Sequence, residues 1–105
     1  MQAKVVDASV LAAFIFQEPQ AKEAGALIKG IRIFVPTLLP YELASIAKKK
    51  CALYPEKRSI IMDALAIGLG MEMTLSEPEY PEITALSLET GLEVYDSAYL
   101  WLARS

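Results

Sequence analysis

The run Lys4-Val5-Val6-Asp7 constrains the fold more than any other stretch of the chain. It is β-branched, shows no polar alternation and stops on a carboxylate, after which Ala8-Ser9-Val10-Leu11-Ala12-Ala13-Phe14-Ile15-Phe16 continues almost wholly apolar. A strand that is apolar on both faces belongs to a parallel sheet covered by helices on both sides. In open α/β sheets the chemistry collects beyond the carboxyl ends of the strands. Asp7 stands at such an end, where two readings apply: a cap for the next helix, because Asp is a preferred N-cap, or an acid delivered to a site.

At 105 residues the chain has the length of one domain with one core, so residues 1–105 are read as a single unit. Hydrophobic residues make up 54% and the mean hydropathy is +0.34. That is more apolar surface than a small monomer hides, and a homodimer or a protein partner is expected. No apolar run reaches the ~18 residues of a membrane span, and the N-terminus lacks signal-peptide order. With one cysteine, Cys51, no internal disulfide framework forms, in keeping with a cytoplasmic setting.

The chain has no histidine, which excludes His-based zinc sites, Ser-His-Asp and Cys-His nucleophiles and His acid–base chemistry. Any catalysis falls to carboxylates. Charge is unevenly spread, +3 over residues 1–52 and −6 over 53–105, which leaves room for a face that meets a polyanion.

Taken in order, the pattern predicts a short buried helix from Ser9 to Phe16 stopped at Pro19, a second from Gln20 to Lys29 closed by Gly30, and a strand Ile31–Val35 halted by Pro36. Thr37 then reads as the N-cap of a middle helix. On that helix Leu39, Glu42 and Ile46 share a stripe, so an acid interrupts an apolar face. A carboxylate placed there is paired, protonated or bound to a cation, or else lies at the margin and reaches water. Lys48-Lys49-Lys50, with Lys57 and Arg58, form either a solvated turn or a set of phosphate contacts. A helix over about Glu56–Leu69 carries Ile60, Ile61, Leu65 and Ile67, with Gly68 and Gly70 at its end, followed by a strand over Met71–Leu75. Ile83, Leu86 and Leu88 mark a further helix ending at Gly91. Asp96 opens the last helix after an extended link from Leu92. Tyr95, Tyr99 and Trp101 are read there as core rather than as base-stacking rings.

Val5-Val6-Asp7-Ala8-Ser9, Pro36-x-x-x-x-Tyr41-Glu42-Leu43-Ala44 and Val94-Tyr95-Asp96-Ser97-Ala98-Tyr99-x-x-Leu102-Ala103, in this order and spacing, resemble the PIN-domain ribonucleases, in particular VapC-type toxins of toxin–antitoxin pairs. The resemblance implies a three-layer α/β/α fold with a parallel sheet, and a cluster of acids at its carboxyl edge. By motif, Asp7, Glu42 and Asp96 fall on the family's first three acidic positions as catalytic residues and metal ligands for Mg²⁺ or Mn²⁺. Ser9 falls on the small hydroxyl position, and Ser9, Lys48, Lys49 and Lys50 are the expected substrate contacts. Single-stranded RNA or tRNA is the implied substrate, with a cognate antitoxin and a second copy as protein partners. Members usually continue into another strand carrying a fourth acid and a last helix, whereas this chain stops at Arg104-Ser105. The alternative is therefore a catalytically weak or inactive PIN-like module that dimerises or binds an antitoxin.

Overall fold

The computed structural model describes residues 2–105. Three short parallel strands, β1 (Ala3–Val5), β2 (Arg32–Pro36) and β3 (Thr74–Ser76), lie in the order β1-β2-β3, with Val5 opposite Phe34 and Phe34 opposite Thr74. Helices α1 (Ala8–Ile15) and α2 (Ala21–Ile28) connect the first two strands. Next come α3 (Leu39–Leu53), a single 3₁₀ turn (Pro55–Lys57) and α4 (Arg58–Leu69), which lead to β3. The chain then passes through α5 (Tyr80–Thr90) to α6 (Val94–Arg104). This is a mixed α/β fold with its parallel sheet flanked by helices, as expected; the first strand itself is corrected from a buried strand to an edge strand, with Ala3 and Lys4 exposed and burial beginning at Val6.

The core forms where α1 and α3 meet the sheet, around Val6, Leu11, Ala12, Ile28, Ile33, Val35, Leu39 and Leu43. The inward stripe of α3 is Leu39, Leu43 and Ala47, spaced four residues apart and each no more than 1% exposed. Helix α6 packs over β1 and β2, and its buried contribution there is Ser97 and Ala98. The Ser97 hydroxyl meets no partner among the described residues. No helix among those residues is long and apolar enough to cross a membrane.

Several local expectations are corrected. Thr37 does not cap α3; its N–H donates to the Ser76 carbonyl at 3.1 Å, which extends the β2–β3 ladder by one bond, and Leu38 takes the cap position without a side-chain bond. The third strand begins at Thr74 rather than Met71, because Gly70 and Met71 still bond back to the end of α4 and pairing with β2 fixes where extension starts. Helix α6 begins at Val94, so no extended link reaches Tyr95. Of the apolar residues on α4 and α5, Ile60, Ile67 and Leu88 are 70%, 75% and 84% exposed. On α4 the packed stripe is Ile61, Leu65 and Gly68, and Ile60 and Ile67 each lie one residue, about 100°, off it. Gly68 is required in that stripe: a Cβ would come within 2.7 Å of the Ile15 side chain. Gly91 ends α5 at φ +79°, a left-handed turn that glycine adopts without strain.

Candidate active site

Each of the three acids stands at the start of a helix. Asp7 follows β1 and caps α1: its Oδ1 accepts from the Val10 N–H at 3.1 Å and from the Ser9 hydroxyl at 2.6 Å. The capping reading is seen directly, and it occupies only one carboxylate oxygen, leaving the other unbonded among the described residues. Glu42 lies in the first turn of α3, just beyond the carboxyl end of β2, and Asp96 in the first turn of α6. A helix N-terminus favours negative charge, so the backbone itself offsets part of the cost of gathering these carboxylates.

Glu42 is half-buried, and its Oε1 accepts a 2.6 Å hydrogen bond from the Tyr99 hydroxyl, which ties α3 to α6 across 57 residues of sequence. Burial lifts its pKa above the ordinary glutamate value of 4.5; the Tyr99 bond opposes the rise, and the charges of Asp96 and Asp7 add to it. Glu42 therefore feels both other acids. Burial, and then the bond to Glu42, push the Tyr99 phenol far above its ordinary range, so this hydroxyl remains a donor. The expectation that Tyr99 belongs wholly to the core is corrected: one part packs and its tip positions an acid.

An open groove of about 620 Å³ runs between the starts of α3 and α6, and Glu42 and Asp96 both line it. Glu93, one residue before α6, lines the same groove and was not singled out by the sequence. Asp7 does not line it. Tyr95, expected inside, is 66% exposed on this groove. Tyr41 is 81% exposed on it as well; its place directly before Glu42 was the available signal.

Of the three lysines, Lys48 and Lys49 are exposed on α3, about 9–10 Å along the axis from Glu42. Lys50 is engaged elsewhere, 2.8 Å from Glu18 and 5.8 Å over the Phe16 ring.

The donor set is carboxylate and hydroxyl oxygen without imidazole, which suits a hard divalent cation. Among the described residues no three acids, histidines or cysteines stand close enough to hold one ion. The groups present accordingly fit a cation held by one or two carboxylates that keeps several of its waters, the habit of Mg²⁺.

Glu42→Gln keeps an oxygen for the Tyr99 hydroxyl but removes the charge. Because the folded pKa of Glu42 is raised, its contribution to stability is full below the ordinary glutamate range and is lost as pH rises through the raised value. Urea unfolding at pH 4 and pH 7 is expected to show the Gln variant gaining on wild type at the higher pH; parallel curves would contradict this. Tyr99→Phe leaves the ring in place and frees the Glu42 carboxylate. Mn²⁺ affinity is expected to fall roughly tenfold, the lower end for losing an outer partner of a metal ligand, and calorimetric titration of the two proteins checks it.

A family model described as PIN domain matches residues 4–105 of the chain. No curated protein matches it.

Proposed function

The chain belongs to the PIN domain family, whose members are generally metal-dependent nucleases, and on that footing we propose that it is an endoribonuclease of the VapC type. In this reading it acts in the cytoplasm as the toxin of a toxin–antitoxin pair and cuts single-stranded RNA or tRNA. Asp7, Glu42 and Asp96 are its catalytic acids, and Mg²⁺ or Mn²⁺ is held by one or two of them directly and by the rest through its waters. The observation that carries the reading is the half-buried Glu42, tied down by Tyr99 and lifted by burial while Asp96 and Asp7 add to the rise. Acids at three helix starts, two of which act electrostatically on the third and none of which is bonded to a basic side chain, call for a cation. The only ion pair among the described residues is Lys50 with Glu18, away from all three.

When bound, such a cation makes its water more acidic and neutralises charge that develops on the phosphate. The protein's own groups supply positioning. Ser9 and the Val10 N–H fix one oxygen of Asp7, and Tyr99 fixes one oxygen of Glu42. Asp96, without a side-chain bond among the described residues, is free to adjust across the groove. Lys48 and Lys49 offer phosphate contacts further along α3, which bear on affinity rather than sequence choice.

A 5′-labelled single-stranded RNA incubated with the chain and Mn²⁺ is expected to yield internal fragments, and excess EDTA is expected to suppress them. Intact RNA in every metal, or equal cutting in EDTA, would overturn the proposal.

A second reading, the weak or inactive dimerisation or antitoxin-binding module, draws on a different observation. Leu53, Ile60 and Ile67 of α3 and α4 are 70–75% exposed, an apolar set that a second copy or an antitoxin would cover.

A further inference from the structure

We infer that the groove between α3 and α6 is a nucleobase subsite, in which Tyr41 and Tyr95 stack on an unpaired base of the RNA next to the phosphate being cut. The inference rests on the nuclease reading above and adds what part of the substrate the site holds and why it must be single-stranded.

Tyr41 and Tyr95 are 81% and 66% exposed, and neither makes a side-chain hydrogen bond among the described residues. The fold therefore gains little from them. Each is the immediate neighbour of an acid, Tyr41 of Glu42 and Tyr95 of Asp96, and all four line one groove. Wherever a cation on the two acids holds a reacting phosphate, two ring faces come with them.

The charge of the groove says which part of a nucleotide it takes. No lysine or arginine lines it, while Glu93 adds a third carboxylate. A phosphate lying away from the cation would be repelled there. A neutral base is not, and Leu38 adds apolar wall beside the rings. At about 620 Å³ the groove is within the range of sites that take small organic groups. Stacking on tyrosine tolerates any base but requires an open base face, which single strands and loops offer and a duplex does not.

The test is steady-state cleavage of a mixed-sequence single-stranded RNA and its duplex in Mn²⁺, by wild type, the Tyr41→Ala/Tyr95→Ala double variant, and the corresponding double Phe variant. Both positions are exposed, so thermal unfolding is expected to be unchanged, and Mn²⁺ affinity by calorimetry likewise. The Ala variant is expected to raise KM by roughly 10- to 100-fold, the Phe variant to restore it, and the duplex to be a poor substrate for all three. A wild-type KM in the Ala variant, a Phe variant as impaired as Ala, or a duplex cut as fast as the single strand would overturn the subsite while leaving the nuclease reading standing. A wild-type chain that cuts no RNA would overturn both.

Discussion

Asp7→Asn is expected to leave a folded protein whose cleavage of single-stranded RNA falls by about 100-fold or more, beyond what removal of an outer partner of a metal ligand produces. Asn caps a helix about as well as Asp, so the bond from the Val10 N–H survives and thermal stability is expected to stay close to wild type. What is lost is the charge, and with it an anionic oxygen for the cation. Asp7→Ala is the control for the other role: losing the cap as well is expected to cost about 1 kcal/mol of stability. If the Asn variant cut RNA at the wild-type rate, Asp7 would be a helix cap and nothing more.

Leu43→Ala is expected to be the most damaging single truncation near the site. Leu43 is completely buried in the inward stripe of α3, between Leu39 and Ala47, and next in sequence to Glu42. A Leu→Ala change at such a position costs about 2–5 kcal/mol, out of roughly 5–15 kcal/mol for a whole domain. The melting midpoint is therefore expected to drop by about 10 °C or more. Because the vacated volume lies under the helix that carries Glu42, the Tyr99 bond would be among the first contacts to loosen. Urea unfolding with an unchanged slope and a lower midpoint is the expected signature; a loss under about 1 kcal/mol would mean that α3 repacks freely and that Glu42 is not held by this core.

What the sequence made legible was local. Val5-Val6-Asp7 announces a strand with an acid at its end, although that strand lies at the sheet edge with Ala3 and Lys4 exposed and only Val6 buried; Pro36, Gly30 and Gly91 mark ends of elements within a residue or two, because each acts through its own backbone. The helix starts that carry Glu42 and Asp96 were legible only to within about two residues, and neither Thr37 nor Asp96 is the cap. Contacts made at a distance were not. That Tyr99 reaches Glu42 depends on α6 crossing beside α3, and no spacing within one helix encodes it. Thr37 was misassigned because its N–H bonds to a strand 39 residues later. Hydrophobicity alone does not say which of the two adjacent stripes on α4 faces its neighbour; Gly68 against Ile15 decides it, and Ile60 and Ile67 stay exposed. Tyr95 was read as core by the same helical spacing, yet it stands in the groove.

The most direct test of the central claim, that acids from three helix starts together serve a divalent cation, is calorimetric titration of the 105-residue chain with Mn²⁺ beside its Asp7→Asn variant. The account predicts saturable binding of one ion per chain by wild type and none by the variant. A folded wild-type chain that takes up no Mn²⁺, or a variant that binds it equally well, would contradict the claim.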